Sequence, residues 1–203
     1  MPAPLTEDQI TEVRERIVAV AERQAVERGL ERVSMHSIAQ ALGWSATALY
    51  RYFENKDAIL AAARTASLNR LSDRLETAMR EPGDIWARSR AVGNAYVDFA
   101  FNFPDAYRLI FALSQPDADG YPELKAAMAR SRGNMTRYVE QMVEQGKIEA
   151  DPVILGHVFW AALHGLVSLQ MAGQLGPDAP SFETLRHEMV RAIVRSAIRT
   201  KRA

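Results

Sequence analysis

The chain has 203 residues, 48% of them apolar, with 25 basic side chains against 25 acidic ones and no cysteine. That suits one generous domain or two small ones with a true core, and it excludes a disulfide scaffold, a thiolate metal framework and a polycation that grips nucleic acid over its whole surface. No uninterrupted apolar run approaches the roughly 18 residues of a membrane span, and the start, MPAPLTEDQITEVRER, is too acidic and polar for a secretory signal, so a cytoplasmic location with no membrane partner is expected.

Apolar residues recur at helical spacing almost throughout, and no alternating β-branched run stands between hairpin turns, so the expected class is all-α. The first helix opens at TEDQ, where Thr6 and Gln9 have the spacing of a capping box. Ile10, Val13, Ile17 and Val20 line its inner face, and Gly29 stops it. Two short helices follow, and then Asn55 caps a long helix over 56–80, about 37 Å at 1.5 Å per residue, ending before Pro82 and Gly83. Asp84 caps a helix to 103, Pro104 opens a short one to 113, and SQPDADGYP is a surface loop. Longer helices cover 122–144, 152–174 behind Asp151, and 181–199. Short helices early and long ones later divide the chain into 1–55 and 56–203, with helix 56–80 as connector.

Within 34–53 the sequence SMHSIAQALGWSATALYRYF forms one unit. Ser34 caps a first short helix with Ile38, Ala39 and Leu42 inward, and Gly43 supplies the left-handed turn that ends it. Ser45 caps a second, over 45–52, whose inner Leu49 and Phe53 meet the first, with small Ala39 permitting a close, steep crossing. The outer side then carries Ala46, Thr47, Ala48, Tyr50 and Arg51, short enough at its front to approach base edges. Thr47 can bond a base or phosphate, Ala48 and Tyr50 can touch a thymine methyl, and Arg51, Tyr52 and Lys56 can reach phosphates. No acidic residue falls between Glu31 and Glu54, which keeps this face free of groups that repel phosphate. Because the face is only mildly basic, two copies are expected to act together on a symmetric duplex site. Trp44 is expected to pack on the first helix as a turn residue.

The stretch SMHSIAQALGWSATALYRYFENKDAIL, behind a helix ending AVERGLERV, resembles the N-terminal domain of the tetracycline-repressor (TetR) family of bacterial transcription regulators over residues 29–60. The resemblance implies a three-helix helix-turn-helix domain on a larger helical-bundle effector and dimerisation domain. It also implies a homodimer that a small molecule releases from double-stranded operator DNA, usually as a repressor. Ser34, Ser45, Thr47, Ala48, Tyr50, Tyr52 and Lys56 stand where family members touch DNA. Many members carry lysine and glycine after the motif serine; Ala46 and Thr47 stand there in this chain, a departure that bears on base preference. FWAALHGLVSLQMAG, with FPDAYRLIF upstream, is similar to a regulatory-domain subtype marked by tryptophan, histidine and glycine, matched by Trp160, His164 and Gly165.

Tyr96, Phe99, Phe103, Tyr107, Phe111, Met128, Trp160 and His164, together with Trp86, Met135 and Met171, have a plain explanation as core, and the preferred reading is that they line a cavity for a small apolar or amphipathic effector. His157 and His164 are two helical turns apart, roughly 10 Å, too far for one metal at about 2 Å from each, and no metal or cofactor is expected. Arg191, Arg195 and Arg199 form a solvated side of the last helix. Leu185, Met189, Ile193 and Ala197 are its candidate dimer seam, the family's four-helix interface being built from the last two long helices of each subunit. Two rivals remain: a DNA-binding dimer with a solid core governed by a protein partner, and an all-helical enzyme. The second lacks a nucleophile–base pair and a phosphate-binding glycine loop.

Overall fold

The computed structural model describes residues 6–112 and 117–198. The predicted helix end at Leu113 and the basic residue Arg199 lie outside them. Among the described residues there is no strand, and the α-helices run α1 Glu7–Arg28, α2 Met35–Leu42, α3 Ala46–Leu49, α4 Lys56–Met79, α5 Ile85–Asn102, α6 Pro104–Ile110, α7 Pro122–Glu144, α8 Pro152–Met171 and α9 Phe182–Ala197. Two single 3-10 turns, Leu30–Arg32 and Ala118–Gly120, were not anticipated from periodicity, which a three-residue turn is too short to display.

The caps define the ends. Thr6 and Gln9 form a reciprocal box, Asn55 Oδ1 accepts from the Ala58 amide at 2.8 Å, and Asp84 Oδ1 accepts from Ala87 at 2.8 Å. Asp151 Oδ1 takes the amides of Val153 and Ile154 at 2.8 and 2.9 Å, satisfying donors that the helix itself leaves unpaired. Several ends fall short of expectation. α6 stops at Ile110, and α8 stops at Met171, where left-handed Gly173 (φ 66°) lets the Gln174 amide bond back to the Leu169 carbonyl at 2.9 Å.

The chain divides into two compact units. The first comprises the described parts of Met1–Arg70 and Phe103–Ala129. Ile17 and Ala21 of α1, Ile38 and Ala39 of α2, Leu49, Phe53, Ile59, Ala63 and Leu109 of α6 make its core. Each fully buried Leu, Ile or Phe there contributes about 1.5–3 kcal/mol. Ile10 is 38% exposed, contrary to its predicted inward place, because the packing of α1 begins one turn later at half-buried Val13.

The second unit comprises Leu71–Asn102 and the described part of Arg130–Ala203. At one side of it Arg130 Nη2 donates to Asp73 at 2.6 Å and to Glu76 at 2.8 Å, and Asn134 Nδ2 donates to Glu76 at 3.0 Å. The bonds from Arg130 and Asn134 lower the Glu76 pKa to about 2, and together with the Asp73 bond they tie α4 to α7. α8 reaches α7 at Gly156. A Cβ there would lie 2.9 Å from the Met135 carbonyl oxygen and 3.0 Å from Thr136 Cα, backbone atoms that cannot swing aside. Gly156→Ala is therefore expected to cost about 1–3 kcal/mol by overpacking, read as an earlier midpoint in urea unfolding. An unchanged midpoint would show that the two helices separate freely.

Candidate nucleic-acid interface and ligand cavity

The α2–α3 pair is fixed by bonds that its own residues supply. Ser34 Oγ accepts the Ser37 amide and Ser37 Oγ accepts the Ser34 amide, both at 3.0 Å. Ser37 Oγ also donates to Gln24 Oε1 at 2.8 Å, and Gln24 Nε2 returns a bond to the Ser37 carbonyl at 2.9 Å, tying α2 to α1. Gly43 is left-handed (φ 71°, ψ 27°), which turns the Trp44 amide back onto the Ala39 carbonyl at 2.9 Å. Ser45 Oγ then accepts from Ala48 at 3.3 Å and opens α3.

Leu49 and Phe53 are buried, so the opposite side of α3 faces outward. Thr47, Arg51, Ser34 and Ser45 are exposed, as is Tyr50 at 57%; Ala46, Ala48, Tyr52 and Lys56 are half-buried. The α-helix proper covers only Ala46–Leu49, not 45–52. Beyond it the chain continues through tighter i→i+3 bonds, from Arg51 to the Ala48 carbonyl at 3.4 Å and from Tyr52 to the Leu49 carbonyl at 2.9 Å. That tightening accompanies the burial of Phe53.

So short a helix needs outside support, and α1 provides it. Arg14 Nη1 donates to the Tyr52 carbonyl at 2.9 Å while its guanidinium lies 4.2 Å from the Phe53 ring centroid. Arg16 stands 5.9 Å from the Trp44 ring, which packs at 6.1 Å against Tyr52. Trp44 is thus a packed turn residue, and part of Tyr52 is spent on packing. Arg14 was missed from sequence: its signal is only an arginine beside the inward Val13 and Ile17, common on any helix flank.

The second unit holds a cavity of about 460 Å³ lined from α4, α5, α7, α8 and α9. Of the residues put forward as lining, Tyr96 and Trp160 are present, with Trp86 and Met135 beside them. His164 stands behind Tyr96, its Nδ1 3.3 Å from the Tyr96 hydroxyl, and burial pushes its pKa down, favouring the uncharged ring. The other five do not line this cavity. Phe99 is fully buried in solid packing, and Phe103, Tyr107, Phe111 and Met128 belong to the first unit, where Tyr107 and Phe111 pack with centroids 4.8 Å apart. Helical periodicity marks a residue as inward without telling which interior it enters. Tyr138 and Phe159, 6.1 Å apart, line the cavity and were not singled out, nor were Arg90 and Arg186.

α9 packs on α8, and Leu185, Met189 and Ile193 on it are half-buried. Ala197 is buried within its own chain, its carbonyl accepting the Glu149 amide at 2.8 Å, and is withdrawn from any seam with a second copy. Uncovered apolar surface lies on α8 instead. This helix is long and apolar enough to cross a membrane by length and composition alone, with mean hydropathy 1.6 and only 28% of the stretch buried. Ile154 (65% exposed), Val158, Ala161, half-buried Gly165 and Leu169 recur every three or four residues as one stripe. On α8 that stripe is opposite the cavity residues Phe159, Trp160 and Leu163.

Residues 17–63 match the family described as bacterial regulatory proteins, tetR family, and residues 89–193 match the family described as tetracyclin repressor-like, C-terminal domain. An HTH-type transcriptional regulator of Mycobacterium tuberculosis is 22% identical over 200 residues, covering 84% of this chain and 86% of that protein. The HTH-type transcriptional activator FasR of Mycolicibacterium smegmatis is 31% identical over 100 residues, 49% of this chain and 46% of that one. A solved structure of a protein of unknown function from Rhodococcus sp. RHA1 shares the fold with a TM-score of 0.78 at 23% identity, covering 92% of this chain and 96% of that one.

Proposed function

We propose, from the premise that this chain belongs to the tetracycline-repressor (TetR) family of bacterial regulatory proteins, that it is a homodimeric repressor released from a palindromic operator by a small-molecule effector. The curated relatives are transcription regulators rather than enzymes. One observation carries the DNA-binding part: Thr47 and Tyr50 stand open on the outer side of a capped short helix whose inner side is held by Leu49 and Phe53. In this reading residues 1–55 are the reading module, and α4, which runs through the boundary at Arg70, is the connector to the effector and dimer module. Thr47 and Tyr50 address base edges, Ala46 and Ala48 permit the close approach, and Ser34, Ser45, Arg51, Tyr52 and Lys56 hold the phosphates.

The α8 stripe is the seam between copies, with Ala161 and Gly165 small enough for helices to cross closely. Trp160, His164 and Gly165, the marks of the regulatory subtype, then have separate duties: cavity wall, partner of Tyr96, and seam. Effector in the cavity must bind two arrangements of the connector unequally if it is to alter the spacing of two reading heads. Operator position decides whether occupancy represses or, as the name of FasR records for that protein, activates.

The operator is obtained by selecting bound fragments from random DNA, after which released fragments report effectors. In gel-shift titration against it, Thr47→Ala and Tyr50→Ala are each expected to cost about 1–3 kcal/mol in specific binding, while Lys56→Ala weakens all sequences alike. Unchanged operator affinity in all three variants would refute the assignment.

A further inference from the structure

The cavity is asymmetric in charge. Its walls are aromatic and aliphatic, and no aspartate or glutamate is among the residues that line it. Arg90, Arg186, His187 and Arg191 do line it. Two of the three arginines are already engaged: Arg186 with Glu183 at 3.0 Å and Asn94 at 2.8 Å, Arg191 with Glu188 at 2.8 Å. The Arg90 guanidinium has no ion pair or side-chain hydrogen bond to any other described residue. Arg90 and Arg191 are exposed, and Val190 beside them is part-exposed, so the cationic side of the cavity is its mouth. Deeper in, the polar fixtures Tyr96 and His164 satisfy one another at 3.3 Å.

We propose that the effector is an amphipathic carboxylate, its apolar body lodged among Trp86, Phe159 and Trp160 and its anionic head at the mouth against Arg90. This rests on the reading of the cavity as the effector site and adds the chemical class. A cationic amphipath would find no carboxylate to replace its hydration shell and would meet like charge at the mouth. A neutral one would leave Arg90 unanswered. A carboxylate accepts the guanidinium fork with two oxygens, the geometry in which arginine binds most strongly. The volume lies within the roughly 300–1,000 Å³ of pockets that bury drug-sized ligands.

The test uses the full-length protein and follows quenching of Trp86 and Trp160 fluorescence on titration below micellar concentrations. Decanoate and 2-naphthoate represent chain and flat forms of the anion; decanol and decyltrimethylammonium are the neutral and cationic controls. The expected result is that at least one carboxylate binds about ten-fold or more tightly than either control, and that Arg90→Gln removes that advantage by weakening carboxylate binding far more than decanol binding. Which carboxylate wins tells whether the body is chain or ring. Equal or tighter binding of decanol or the ammonium overturns the anionic class and leaves the cavity reading standing, as does an Arg90→Gln protein that keeps the full carboxylate preference. If none of the four probes binds, the effector-cavity reading itself falls, and the class falls with it.

Discussion

Replacing Gly165 with arginine is expected to give a folded protein that elutes as a monomer and has lost about 10²–10⁴-fold of its operator affinity. Within the protomer a Cβ at this position meets no atom within 4 Å, so the new side chain has room and the fold has no reason to fail. Helix propensity even favours the change by up to about 1 kcal/mol. The damage falls elsewhere. Gly165 is in the middle of the α8 stripe with Ala161, and a second copy crossing closely there would have to bury an unpaired guanidinium against Ile154, Val158 and Leu169. A monomer brings one reading head to a two-headed site and forfeits the effective concentration that the first contact gives the second. Light scattering on the eluting peak reads the mass, and a thermal melt shows whether the fold survives. A dimer of unaltered mass and stability would move the seam off α8. Gly156, nine residues earlier on the same helix, supplies the contrast: its substitution fails inside the protomer, against Met135 and Thr136, and leaves the stripe untouched.

How much of this was legible in the sequence follows from the range of the forces involved. Local chemistry was: the Ser34 and Ser45 caps, left-handed Gly43 and the Asn55, Asp84 and Asp151 starts depend on residues three or four apart, and each stands where the spacing put it. Leu49 and Phe53 could be called inward because Ala39 and Ile38 gave them something to meet. Partition between interiors was not. Tyr96 and Tyr107 have the same helical character, yet one lines a cavity and the other packs on Phe111, a difference made by helices far away in the chain. The stripe on α9 was read as a seam because apolar spacing alone does not say which of two partners covers it. α9 packs on α8 of the same chain, and Ile154, Val158 and Leu169 of α8 are exposed, which the spacing on α9 does not announce. Gly156 and Gly165 look alike in sequence and differ only in what surrounds their missing Cβ.

Arg14→Met is expected to weaken operator binding about ten-fold without changing its dependence on salt. The residue touches the reading segment from behind: its fork holds the Tyr52 carbonyl at 2.9 Å and its plane covers Phe53 at 4.2 Å. A hydrogen bond from a charged donor and an exposed cation–π contact together supply about 1–2 kcal/mol, close to a factor of ten in affinity. Four residues of α-helix cannot hold their own geometry, since nucleation alone is unfavourable, and α3 is held at its far end by the turn that Arg14 grips. Loosening that turn spreads Tyr50 and Arg51 over orientations of which few suit a groove. Methionine keeps the apolar stem and so spares the packing of α1. Salt separates this role from a phosphate contact, because removing a cation that releases a counterion lowers the slope of log affinity against log salt by about one unit, whereas removing a brace leaves it unchanged. Arg14→Lys sharpens the contrast: it restores the charge but neither the planar stack nor the fork, and binding should recover only in small part. A reduced slope in the methionine variant, or full recovery with lysine, would place Arg14 on the DNA backbone and leave α3 to be held by the Ser45 cap and its buried Leu49 alone.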